Sequence, residues 1–195
     1  MTMHLTLPQE IGGSLAGHLL IATPAIGESC LTRAVIYMCS HNEEGAMGVI
    51  INHPIENIGI KDIFDQLQIN TANPAADFPV HFGGPVEANR GFILHSSDYV
   101  TQGTLIEKDG IAVTASVTLL QDMAKGIGPK QGILMLGYAG WSQGQLESEI
   151  ESGGWIVVPA SKSLVFDTEN DTKWAMAIGT LGFDMGHFSS VVGHA

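Results

Sequence analysis

The chain has 195 residues, 45% of them hydrophobic, enough for one domain with a real core and too apolar for a disordered chain. Eight Lys and Arg stand against 20 Asp and Glu, and this formal net charge of −12 repels phosphate backbones and anionic lipid surfaces. Direct nucleic-acid binding and membrane association are therefore not expected.

Residues 1–13, ending at Gly12-Gly13, read as a loose lead-in. They lack the basic segment and apolar run of a signal peptide. No apolar run anywhere approaches the ~20 residues that span a bilayer, so a cytoplasmic location is expected. A first strand, His18–Thr23, stops at Pro24. Ala34–Cys39 and Met47–Ile51 follow, apolar at nearly every position, which implies burial on both faces. Asn42-Glu43-Glu44-Gly45 between them has hairpin-turn chemistry, so the two strands should pair antiparallel. Cys39 reads as a buried small hydrophobe; a disulfide to Cys30 is the alternative.

Ile60, Ile63, Phe64 and Leu67 recur at i, i+3, i+4 and i+7, the mark of an amphipathic helix. A polar loop at Asn70–Pro79 leads to short strands at Val80–Phe82 and Gly91–Leu94. Thr104–Lys108 and Ile111–Thr114 flank Asp109-Gly110, a two-residue hairpin signal. Ser116 caps a helix that reaches Gly126, with Pro129 beyond it. Ile133–Leu136 is an apolar strand, and Trp155–Val158 another. A last helix carries Trp174, Ile178 and Leu181 on one stripe, capped by Asp171 and stopped by Gly182. Hairpins mixed with separate helices, without linker or fixed-period repeat, predict a single α+β domain over residues 1–195.

The most informative stretch is Gly137-Tyr-Ala-Gly-Trp-Ser-Gln-Gly-Gln-Leu-Glu-Ser-Glu149. Gly137 and Gly140 permit a sharp bend, while Ser142 and Gln145 match a capping box. The pattern predicts a strand-to-helix corner holding an indole, an amide and carboxylates.

That segment resembles the signature of the YqgE/AlgH family of bacterial proteins. Further blocks of the resemblance follow in order: Gly17–Pro24, His41–Gly48, Asn52-His53-Pro54, Phe82–Glu87 and Gly91–His95. Two departures stand out. Gly27–Leu31 lacks the family's Asp-Pro and Phe, and His53 replaces a common Arg or Lys. The resemblance implies a compact α+β fold with a bent, partly barrel-like, mainly antiparallel sheet surrounded by helices. It brings no established activity. Some members carry a transcriptional-regulator label, which fits a charge of −12 only if regulation is indirect.

Candidate chemistry is sparse. Gly83-Gly84-Pro85 could bring backbone N–H groups to an anion, yet it lacks the lysine of a phosphate-binding loop and reads first as a tight turn. Glu147 and Glu151 lie one helical turn apart, with Glu149 on another face, a spacing open to metal-binding or acid–base carboxylates that reads first as a solvated helix face. Cys39-Ser40-His41 is too small a set for a metal without further ligands, and Gly12–Ala16 misses the nucleophile-elbow pattern. No catalytic residue, metal or cofactor is assigned. The expected function is binding of an unidentified protein or small-molecule partner by a non-enzymatic regulatory or accessory factor of open oligomeric state. The surface expected to do so comprises Asn52, Gly83, Gly84, Glu87, Trp141, Gln145 and Glu149. The alternative is an enzyme with a cleft near Asn52, Glu87 and Glu149.

Overall fold

A nine-stranded sheet organises the computed structural model, which describes residues 13–71 and 77–182. Residues 1–12 of the lead-in and 72–76 of the polar loop lie outside the described residues. The strands are β1 His18–Ala22, β2 Val35–Asn42, β3 Gly45–Ile50, β4 Val80–Phe82, β5 Val86–Ser96, β6 Thr104–Lys108, β7 Ile111–Thr114, β8 Gly132–Ser142 and β9 Trp155–Pro159. Their order is β6-β7-β5-β8-β3-β2-β1-β9, antiparallel throughout, with β4 lying parallel to β8. β2 and β3 form the expected hairpin, Asn42 opposite Gly45, and the Asn42 side chain accepts from the Glu44 N–H at 2.8 Å. Asp109 and Gly110 take φ of 53° and 80°, the primed-turn geometry their sequence predicts.

Side-chain alternation explains the curl of the sheet. One face gathers Leu19, Tyr37, Val49, Phe92, Val113, Met135 and Val158 into one cluster drawn from seven strands. The opposite face divides into two: one cluster around Ile36, Met38, Trp141 and Trp155, another around Ile93, Leu119, Phe64 and Leu134. A face that closes on itself while its reverse splits is the inside of a half-barrel. Helix α4, Asn170–Gly179, fills that inside with Trp174, Ala177 and Ile178. On the outside, α3, Gln145–Glu151, covers the first cluster, while α1, Ile60–Gln66, and α2, Val117–Ala124, cover the second. Ser116 caps α2 as expected, accepting from the Thr118 N–H.

The expected corner at Gly137–Gly140 is not a corner. β8 runs straight through it to Ser142. Gly137 instead takes φ +77° inside the strand, and the pairing with β5 shifts between Val86 and Gly91. This bulge changes the parity of the strand. Ile133 and Met135 point inward, and so does Tyr138, whereas Ala139 and Trp141 point outward. The helix start moves too: α3 is capped by Gly144, at φ +71°, rather than by Ser142.

Other boundaries also differ from the sequence reading: β5 begins at Val86, not Gly91, and β2 continues to Asn42. Leu67 ends α1 at 43% exposure, because the helix stops before the i+7 position reaches the core. α4 is capped by Glu169, with Asp171 inside its first turn, and it ends before Leu181, which is 37% exposed. Between β9 and α4 lies an unpredicted π-helical turn, Ser163–Asp167.

Candidate functional site

The seven sequence-selected residues separate into four groups. Asn52 is buried two residues past β3, accepting from the Val35 N–H at 2.8 Å and donating to the Arg33 carbonyl at 2.9 Å, so it pins the start of β2. Gly83 donates to the Leu136 carbonyl at 2.7 Å and accepts from the Ile50 N–H at 2.9 Å. A Cβ on Gly83 would strike the Gly137 carbonyl, and one on Gly84 the Tyr138 backbone, so this pair lies flush against the bulge of β8. Glu87 stands apart, exposed at φ +46° and paired with Arg90 at 2.9 Å.

Trp141, Gln145 and Glu149 do meet. The Trp141 and Trp155 indole N–H groups both donate to Glu149 Oε2, at 2.9 and 2.7 Å, and the rings meet edge to face at 5.8 Å. Gln145 Nε2 donates to Glu149 Oε1 at 2.9 Å, and its Oε1 accepts from the Ser142 N–H at 3.0 Å. These polar atoms are bonded to one another. Nearby, His41 Nδ1 accepts from the Leu15 N–H at 3.1 Å, so Nε2 carries the hydrogen that reaches Glu147 at 2.8 Å. The Glu147 backbone N–H, then His41, hold that carboxyl below its usual range. Both cysteines are free, and burial pushes the Cys39 thiol up to about 12, removing it as a nucleophile at neutral pH. Among the described residues no three His, Cys, Asp or Glu side chains gather as a metal site.

A cavity of about 350 Å³ opens elsewhere, where the first residues of β4 and β8 face the π-helical turn and the start of α4. None of the seven residues lines it. Its walls include Phe78, His81, Ile133, Val165, Asn170 and Lys173, with Asp77, Lys130, Asp167 and Glu169 also contributing. Lys173 is 2% exposed and donates to the Val165 carbonyl of the π-helical turn at 2.7 Å and to Ile51 O at 3.5 Å. Burial pulls its ammonium down to about 8, against a smaller upward pull from Glu169. His81 Nδ1 must carry hydrogen to meet the Ile51 carbonyl at 3.0 Å, which leaves Nε2 as an acceptor 3.5 Å from Asn170 Nδ2. Burial first, then the Lys173 charge, lowers His81 to about 4, so it is neutral at pH 7. A buried amine, an imidazole lone pair and an amide thus share one cavity.

The sequence carried a signal for this site. In α4 the buried positions are Lys173, Trp174, Ala177 and Ile178, so the lysine shares the apolar face one turn before Ala177. A stripe drawn through Trp174, Ile178 and Leu181 passes Lys173 by. His81 lies between Val80 and Phe82, both packed on the outer face, and strand alternation sends it the opposite way. Distant β8 and the π-helical turn supply the remaining walls, and no local pattern shows that.

Comparison with known proteins places the whole chain. A family profile described as AlgH-like matches residues 19–186. A UPF0301 protein of Rhodospirillum rubrum is 46% identical over 190 residues, covering 97% of this chain and 99% of the relative. A UPF0301 protein of Bradyrhizobium diazoefficiens is 44% identical over 196 residues, covering 96% and 92%. The solution structure of the AlgH protein from Pseudomonas aeruginosa superposes with a TM-score of 0.76 at 34% identity, covering 97% of this chain and all of that one. The crystal structure of protein DIP2367 from Corynebacterium diphtheriae shares the fold, with a TM-score of 0.67 at 20% identity and 88% coverage of both chains.

Proposed function

The chain belongs to the AlgH-like family, a family of uncharacterised proteins, and from that premise we propose that it is a cytoplasmic accessory factor that binds a small molecule without turning it over. One observation supports this reading above others: the 350 Å³ cavity joins His81, Asn170 and Lys173, whereas the polar atoms around Trp141 are already bonded to one another. The size suits a small ligand. Asp77, Asp167 and Glu169 outnumber Lys130 at the walls, which disfavours an anion, and the buried Lys173 disfavours a cation. An uncharged polar molecule fits best. A partner-facing role for the sequence-selected residues would fall to Glu87 and Gln145, the exposed side chains among them.

Amide chemical shifts recorded during titration with butanol, butyrate and butylammonium test the reading. Butanol should move the Gly132, Asn170 and Lys173 signals at lower concentration than either ion. Equal, scattered shifts for all three probes would refute a site for uncharged ligands. Among the described residues no helix is long and apolar enough to cross a membrane.

A further inference from the structure

Lys173 is unusual for a lysine. It is 2% exposed, yet it lines a cavity, and among the described residues no carboxylate lies within ion-pair distance of its Nζ. Two carbonyl oxygens hold the amine instead, at 2.7 Å from the π-helical turn and 3.5 Å from the end of β3. Carbonyls can hold an ammonium or accept from a neutral amine, so either protonation state is accommodated.

We propose that Lys173 captures a small uncharged aldehyde or ketone in the cavity as a Schiff base. This rests on reading the cavity as a ligand site. The groups around Lys173 suit the chemistry. The neutral amine attacks the carbonyl carbon; the C–N bond forms and the π pair moves to oxygen. Transfer of the nitrogen's proton to that oxygen gives a carbinolamine. His81 Nε2, whose other nitrogen is committed to Ile51 O, is the acceptor that relays this proton. Asn170 Nδ2, 3.5 Å from His81 Nε2, donates toward the oxygen. The nitrogen lone pair then expels that oxygen, which takes the nitrogen's second proton by way of His81 Nε2 and leaves as water, and the neutral imine remains. Amine plus carbonyl gives imine plus water, with no oxidant or reductant. The groups that set the local charge are Glu169 from the helix cap, Asp167 from the π-helical turn, Asp77 from the segment before β4 and Lys130 before β8. Their net negative charge selects an uncharged carbonyl compound over a 2-oxo acid. Lysines gain this nucleophilic role when burial leaves a usable fraction of free amine, which for Lys173 at about 8 is roughly one in four at pH 7.5.

The full chain is incubated with butanal and cyanoborohydride at pH 7.5, which reduces imines to stable secondary amines, and adducts are located by intact mass and peptide mapping. Lys173 should be labelled about 10-fold or more faster than Lys61, Lys108, Lys125, Lys130 or Lys162, which lie exposed outside this arrangement of carbonyls, imidazole and amide. Butanol should slow labelling at Lys173 alone. Labelling of Lys173 at or below the rate of the other lysines overturns the proposal. If butanol still shifts the Asn170 amide in that case, the Schiff base fails and the ligand site stands. If it does not, both readings fail.

Discussion

Replacing Glu149 by Ala removes one carboxylate from two buried indoles. Trp141 and Trp155 are 7% and 3% exposed, and both N–H groups converge on Glu149 Oε2. A buried donor left unpaired costs about 1–3 kcal/mol. Glu149 is itself half-buried, so water reaches part of the space it leaves and the lower half of the summed range applies. The expected loss is about 3 kcal/mol. Helix propensity works the other way, because Ala is the better helix former in α3 by a few tenths of a kcal/mol. Glu149→Gln keeps an oxygen for the indoles but loses the charge and sets an amide donor against Gln145, so about 1 kcal/mol is expected. Urea unfolding followed by far-UV circular dichroism avoids signals from the tryptophans themselves. A double-mutant cycle with Trp155→Phe should return a coupling of about 1 kcal/mol or more. A loss below about 0.5 kcal/mol for Glu149→Ala, or a Gln variant weaker than the Ala variant, would refute the view that this carboxylate clamps α3 to the sheet.

Gly137→Ala should cost more than about 2 kcal/mol, combining a left-handed φ of +77° with a Cβ driven onto the Gly84 carbonyl; a melting temperature within 1–2 °C of wild type would show that the bulge relaxes cheaply. Lys173 has a folded value near 8 against about 10.5 unfolded, so the unfolded chain binds more protons between those values and stability rises with pH across that window. The gain, at most about 3 kcal/mol, should appear as a pH-dependent difference between wild type and Lys173→Met, and a flat difference from pH 8 to 10.5 would contradict it. His81, lowered to about 4, should make stability fall as pH drops from 6.5 through 4, an acid limb that His81→Gln should flatten. Purified protein should show no salt-sensitive, sequence-selective binding to duplex DNA in a mobility-shift titration, given the formal charge of −12.

Elements with short-range causes formed as expected. The Asn42–Gly45 and Asp109-Gly110 turns, the Ser116 cap and the doubly apolar β2–β3 hairpin formed where short-range chemistry demands them. The family was legible as well, since its glycine blocks are spaced along the whole chain. What those blocks do depends on partners distant in the chain. Gly137 reads locally as a corner, but pairing with β5 on one side and with β4 and then β3 on the other holds the strand through it, so its freedom is spent on reversing side-chain parity. Gly83 and Gly84 owe their lack of a side chain to the backbone of β8, more than fifty residues away. Asn52 and Glu149 look like surface chemistry in one dimension, yet their partners are the backbone at the start of β2 and an indole on β9. The cavity was least visible of all. Its lysine, histidine and amide come from segments nearly ninety residues apart and meet only because the half-barrel curls until α4 closes its inside.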